Sequence, residues 1–136
     1  MLHLTVVSPK GKMIDEDVDS FSIPTEKGPL MIEKGYTNLV ASCSSSGVMK
    51  IVKDGKAKYF ALFGASLSVI VGKAIITCEL CEDGYSIDMA RAIAGRDRAL
   101  DRLEKKDPNI EVKRAKASLA RQLARIKAKT LDEGGR

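Results

Sequence analysis

Along residues 1–84 the apolar positions come in short runs of β-branched and aliphatic side chains, each interrupted by Gly, Pro, Asp or Ser. Leu2-His3-Leu4-Thr5-Val6-Val7 predicts a strand, and Ser8-Pro9-Lys10-Gly11-Lys12 a turn after it. Val18 to Ile23 alternates with period two, which puts Phe21 and Ile23 on the apolar face and Val18, Ser20 and Ser22 on the other, with Pro24 ending the strand. Further short strands are expected at Leu30-Met31-Ile32 and Thr37 to Ala41, separated by a turn at Glu33-Lys34-Gly35. Val48 to Val52 and Lys56 to Phe63 flank Asp54-Gly55, a strong hairpin signal. Leu67 to Val71 and Ala74 to Cys78 are joined through Gly72-Lys73 as a second hairpin. About eight or more closely spaced strands with Gly-rich turns describe an antiparallel sandwich or barrel.

At Glu82-Asp83-Gly84-Tyr85 the period changes from two to that of a helix. Ser86 is a suitable N-cap, with Asp88 in the first turn where a negative charge suits the helix dipole. Met89, Ile93, Leu100 and Leu103, with Ala92 and Ala99, predict one apolar face running to Lys105-Lys106. Asp107-Pro108 restarts a helix, and Val112, Ala115, Leu119, Leu123 and Ile126 form a narrow seam along it, before a loose end at Gly134-Gly135. So short a link makes the two helices antiparallel neighbours. The expected division is a β-sandwich domain over 1–84 and a helical hairpin over 85–136. Because the hairpin is rich in Ala and charge, its burial is modest and it should be able to open.

Charge sharpens that boundary. Residues 1–84 hold nine Lys, ten Asp or Glu and no Arg, whereas residues 85–136 hold fourteen basic and eight acidic residues, including all eight arginines. Arginine suits bidentate contact with carboxylate or phosphate, so the hairpin is the half expected to meet anions. On their helices Asp88 and Arg91 are i,i+3 neighbours and Arg121 and Arg125 are i,i+4 neighbours. Folding the helices together converges one acid and three guanidinium groups on a pocket at the base of the hairpin, a place for a phosphate-bearing ligand. The plainer alternative is a helix-start ion pair beside solvated arginines. A basic hairpin could also bind nucleic acid, but its charges are interleaved with Asp97, Asp101, Glu104 and Glu111, and no aromatic stacking platform or known motif is present.

Other chemistry is expected to be absent. No apolar run is long enough to span a bilayer, no signal peptide precedes the first strand, and three cysteines make a disulfide framework unsuited, so the protein is expected to be soluble and intracellular. Cys78-Glu79-Leu80-Cys81 matches C-x-x-C, but it leaves a strand, where positions i and i+3 face opposite ways, so core or surface thiols are expected rather than a redox or zinc centre. His3, the sole histidine, is expected to be an ordinary strand residue, and Asp15-Glu16-Asp17 with Asp19 a solvated turn rather than a metal site. No Gly-rich phosphate loop occurs. No catalytic or metal-ligating set is predicted.

The whole chain resembles the epsilon subunit of F-type rotary ATP synthases. Leu2 to Gly11 is similar to that family's first strand and turn, Val18 to Pro24 to its second, and Tyr59 to Ala65 with Leu67 and Val69 to its central hairpin, where Ala65 replaces a usual second Gly. The family's I/L-D-x-x-R-A box is complete as Ile87 to Ala92, and Arg121, Arg125 and Glu82 stand where they accompany it in ATP-binding members. One stretch departs: Met31-Ile32-Glu33-Lys34-Gly35-Tyr36 replaces a Gly-Ile-Leu-Pro-Gly-His segment. The resemblance implies a ten-stranded antiparallel β-sandwich followed by a two-helix hairpin, in a non-catalytic subunit of the central stalk. Its expected partners are the gamma subunit, the c-subunit ring and the alpha/beta catalytic head, at the cytoplasmic face of the cell membrane and touching the membrane only through the complex. The resemblance further implies no catalytic cofactor, ATP as a regulatory ligand of the folded hairpin, and inhibition of hydrolysis when the hairpin extends. Glu82, Asp88, Arg91, Ala92, Arg121 and Arg125 would form that ATP site, the arginines on the phosphates and the acids toward the base or ribose, or orienting the arginines.

Overall fold

A computed structural model describes residues 2–36, 38–105 and 111–135. The first ten elements are strands: β1 (Leu2–Ser8), β2 (Gly11–Val18), β3 (Ser20–Thr25), β4 (Gly28–Glu33), β5 (Leu39–Ser42), β6 (Ser46–Lys53), β7 (Lys56–Phe63), β8 (Ser66–Ile70), β9 (Lys73–Thr77) and β10 (Leu80–Asp83). They form two five-stranded sheets, ordered β2-β1-β9-β8-β5 and β10-β7-β6-β3-β4. Pairing is antiparallel with one departure from expectation: β1 and β9 run parallel, Leu4 opposite Ala74 and Val6 opposite Ile76. That ladder draws the chain's first strand and its ninth to the centre of one sheet.

Alternation builds the core. Leu4 and Val6 of β1, Phe21 and Ile23 of β3, Met49 of β6 and Val69 of β8 are all buried between the sheets. In β7 the alternation stops, because Ala61, Leu62 and Phe63 are buried in succession. Leu62 faces the inter-sheet core, while Ala61 and Phe63 pack outward against the helices. A strand covered on both faces has this continuous signature.

Several local expectations are corrected. The acidic run is not a turn: Asp15, Glu16 and Asp17 lie in β2, an edge strand, with Asp17 opposite His3 and Asp15 opposite Thr5. Charged side chains suit such an edge, because they discourage further pairing. Val18 closes β2 instead of opening the next strand, and β3 passes through Pro24, opposite Pro29, where neither residue has an N–H to contribute. The second hairpin turns at Val71-Gly72, not Gly72-Lys73, with φ 45° and 76°. A left-handed β-branched residue is strained; Val71 N–H donates to Asn38 Oδ1 at 3.0 Å, which helps to hold it. Asp54 and Gly55, at φ 52° and 76°, form the hairpin turn that their sequence predicts.

A 3₁₀ turn (Gly84–Ser86) leads to α1 (Met89–Lys105), followed by α2 (Val112–Gly135). Asp88 caps α1 in place of Ser86: its Oδ1 accepts from Arg91 N at 3.1 Å, and its carbonyl from Ala92 N at 3.0 Å. The helix extends through Gly134-Gly135, which do not form a loose end. The expected restart at Asp107-Pro108 lies outside the described residues.

The apolar faces agree with the expected ones at Ala92, Ala99 and Ala115 but not at their bulky members. α1 buries Ala92, Gly95 and Ala99, while Ile93 and Leu100 are 36% and 41% exposed. α2 buries Ala115, Ala124 and Ala128 and leaves Val112 and Leu123 exposed. Small residues at these contacts let the helix backbones approach closely, and bulky side chains would hold them apart. α1 packs along α2, and α2 lies on β6 and β7.

Candidate functional site

The site begins with the covered end of β7. β10 pairs with it, Glu82 opposite Ala61 and Cys81 opposite Leu62. Cys81 is in the core, so alternation puts Glu82 on the outer side, under the helices. Ile87 is buried with Ala61, Phe63, Ala124 and Ala128, and this anchors the segment just before α1. Asp88 then fixes the start of the helix.

Between β10, the start of α1 and the middle of α2 lies a cavity of about 440 Å³. Glu82, Ser86, Ile87 and Asp88 line one side, Arg91, Ala92 and Arg98 of α1 the second, and Gln122 and Arg125 of α2 the third. Arg125 is already engaged. Its Nη2 and Nε donate to Glu82 Oε1 at 2.8 and 3.0 Å, and its guanidinium carbon lies 5.2 Å from the centre of the Phe63 ring. A guanidinium stacked on an aromatic face and paired to a carboxylate is strongly positioned. The side chains of Arg91 and Arg98 make no ion pair among the described residues.

Five of the six predicted site residues, Glu82, Asp88, Arg91, Ala92 and Arg125, therefore line one cavity. Arg121 is exposed, one turn before Arg125, and lies outside that lining. Asp88 meets Arg91 through its backbone N–H rather than as an ion pair. Arg98 and Gln122 were not anticipated. Arg98 is seven residues from Arg91 and Gln122 three from Arg125, so extending each helical face by two turns or one would have found them.

The last turns of α2 grip the sandwich below the cavity. Lys129 Nζ donates to the Tyr85 carbonyl at 2.8 Å and lies 5.5 Å from the centre of the Tyr85 ring. Asp132 is fully buried, and its Oδ1 accepts from Tyr59 N at 3.2 Å. Gly84 makes this approach possible: a Cβ there would lie 2.7 Å from the Tyr59 carbonyl and 2.8 Å from that of Ala128. Asp132 continues the small-residue row Ala124, Ala128 at steps of four, which was the available signal.

The remaining candidates stay outside this chemistry. Cys78 and Cys81 do not face opposite ways; the chain crosses from one sheet to the other between them, and both thiols are buried in the shared core. Burial pushes Cys81 up to about 12 and Cys43 to about 11, and raises Cys78. Such thiols do not ionise readily and are poor nucleophiles. Among the described residues no cluster could hold a metal ion. His3 is a strand residue whose Nε2 and Nδ1 donate to Asp15 and Asp17 at 2.6 and 3.0 Å.

Comparison with known proteins identifies the lineage of this arrangement. Residues 1–84 match the family profile "ATP synthase, Delta/Epsilon chain, beta-sandwich domain", and residues 86–130 match "ATP synthase, Delta/Epsilon chain, long alpha-helix domain". The chain belongs to the ATP synthase delta/epsilon-chain family. It is 35% identical over 126 residues to the ATP synthase epsilon chain of Halalkalibacterium halodurans, covering 92% of this chain and 94% of that one. To the Bacillus velezensis epsilon chain it is 32% identical over 125 residues, with 92% and 94% covered. A chain in the cryo-EM structure of the Euglena gracilis mitochondrial ATP synthase OSCP/F1/c-ring shares its fold, with TM-score 0.77 and 18% identity over 96% of this chain and 81% of that chain. Family membership makes this a non-catalytic rotor and regulatory subunit, not an enzyme. No helix among the described residues is long and apolar enough to cross a membrane.

Proposed function

We propose that the cavity between β10, α1 and α2 binds ATP, and that ATP holds the hairpin folded on the sandwich. The carrying observation is the convergence of Arg91, Arg98 and Arg125 from two helices on one cavity, with Glu82 and Asp88 at its β-side rim. Arg91 and Arg98 offer guanidinium groups to phosphate oxygens. Arg125 joins them by exchanging Glu82 for a phosphate, or bridges the two. Arg121, one turn away on α2, is expected to reach the outermost phosphate. Glu82 and Asp88 stay toward the ribose and base, and Ala92 leaves room for the ligand at the helix surface.

All three walls exist only while the helices are folded back. A ligand that bridges them binds that form and not an extended one, so it shifts the population toward it. In this reading residues 1–84 contact the gamma subunit and the c-subunit ring, and residues 85–136 form the regulatory hairpin. Extended along gamma toward the alpha/beta head, the hairpin inhibits ATP hydrolysis. The subunit works at the cytoplasmic face of the membrane and reaches the membrane only through the complex. Family membership supports this over the nucleic-acid reading of the basic hairpin.

Calorimetric titration of the full chain with ATP tests the site. Saturable binding is expected, weakened about tenfold or more by Arg91→Ala or Arg125→Ala, since a hydrogen bond to a charged group contributes about 1.5–3 kcal/mol. Absence of binding at millimolar ATP overturns the proposal.

A further inference from the structure

We propose that Gln122 is a phosphate ligand of the same cavity, a neutral donor set among the arginines; this rests on the ATP-binding reading above. Arg91, Gly95 and Arg98 occupy one face of α1, at i, i+4 and i+7. Gly95 is buried against α2, and Gln122 lies directly over it. A Cβ at position 95 would come within 2.8 Å of Gln122 Cδ and 2.9 Å of its Nε2. The absent side chain thus forms a notch on α1, and the carboxamide is seated in it.

Gln122 is consequently flanked by Arg91 and Arg98 across the helix contact and by Arg125 three residues along its own helix. It lines the cavity with all three. No hydrogen bond to a described residue engages its carboxamide. An ordinary packing residue at an Ala-lined helix contact would be small and apolar, like Ala92, Ala99 or Ala115. A long amide held over a glycine instead puts an N–H donor where the guanidinium groups converge.

The neutrality is also explicable. Arg125 is compensated by Glu82, but Arg91 and Arg98 make no ion pair among the described residues and repel each other while the cavity is empty, and a further cation would add to that repulsion. A primary amide supplies a donor to a phosphate oxygen without the charge. Its position among arginines favours a phosphate over the base as its target.

The test is ATP titration of full-length variants, with helicity and thermal melting recorded for each. Gln122→Met keeps the length of the side chain over Gly95 but removes the donor, and is expected to weaken ATP about tenfold with the melt unchanged. Gln122→Glu, nearly isosteric, is expected to weaken it further by setting a carboxylate against the phosphates. Gln122→Lys restores a donor and is expected to bind within about threefold of wild type. Methionine binding as well as glutamine would reduce Gln122 to a packing residue and overturn the inference while leaving the ATP site standing. Loss in the lysine variant as large as in the methionine variant, or a changed preference between ATP and GTP in the latter, would make it a base contact and also overturn it. A wild-type chain that binds no ATP would overturn both readings.

Discussion

The two halves of the molecule bury opposite kinds of residue. Between the sheets the hidden positions belong to Leu2, Leu4, Phe21, Ile23, Ile32 and Met49. In the two helices they belong to alanines, a glycine and Asp132, and the large side chains Ile93, Leu100, Val112 and Leu123 are exposed. Burying a leucine-sized side chain contributes about 1.5–3 kcal/mol, and a methyl group far less. Docking of α2 therefore depends to a large extent on polar contacts: Arg125 with Glu82, Lys129 with the Tyr85 carbonyl and Asp132 with Tyr59 N. One half is a body held by apolar area, and the other is fastened to it at discrete points. An element fastened in this way can leave without unfolding what it leaves behind.

The largest test of that contrast is in the sandwich. Ile23→Ala should cost about 2–5 kcal/mol in denaturant unfolding, as expected for a fully buried large-to-small change. Leu100→Ala, on the exposed face of α1, should stay within about 0.5 kcal/mol. Equal losses from the two would break the comparison. Next in size is Asp132→Ala, which takes the acceptor from Tyr59 N–H and should cost about 1–3 kcal/mol. The loss should fall on docking alone: hydrogen exchange of α2 amides accelerates, those of β1 and β3 stay protected, and Asp132→Asn, which keeps a carbonyl oxygen, loses less. Global unfolding of the alanine variant would show that the hairpin belongs to the body after all.

The same contrast governs what the sequence revealed. Period-two alternation and Asp54-Gly55 located most of the strands, because each signal is local and its physical cause sits within a few residues. β2 was missed because Asp15, Glu16 and Asp17 are exposed edge positions, where the polar composition of a turn and of a strand edge coincide. The parallel pairing of β1 with β9 joins residues some seventy positions apart and leaves no local trace. In the hairpin the period and the alanines Ala92, Ala99 and Ala115 were right, and the bulky members of each face were wrong. Sequence weights Ile93 and Leu100 as core, but close helix contact selects Ala92, Gly95 and Ala99. The cavity was legible through Asp88, Arg91 and Arg125 because charge placed at helical spacing needs no packing information. Arg98 required only a longer window, whereas the seat of Gln122 depends on Gly95 across the helix contact.

The smallest effect belongs to the sandwich's outer surface, where polar contacts add to a fold that apolar burial already secures. His3 is bracketed by Asp15 and Asp17 across the β1–β2 ladder, with Thr5 and Lys12 also bonded to Asp15 and Lys73 opposite His3 on β9. Hydrogen bonds donated to Asp15 and then to Asp17 hold the imidazole above its ordinary value of 6.5. The bond from His3, then that from Lys12, depresses Asp15 from 3.8 to about 2. A raised histidine contributes fully below 6.5, and its contribution is lost as pH rises through the raised value. A depressed aspartate contributes fully above 3.8, and its contribution is lost as pH falls toward about 2. The ladder should therefore be firmest between 3.8 and 6.5. As the only histidine, His3 gives a single imidazole titration by NMR, whose midpoint should fall toward the ordinary value in Asp15→Asn and by less in Asp17→Asn. A wild-type midpoint at the ordinary value would mean that solvent screens the cluster completely. The edge strand would then be held by its backbone ladder alone, and the difference between an apolar body and a point-fastened hairpin would be sharper still.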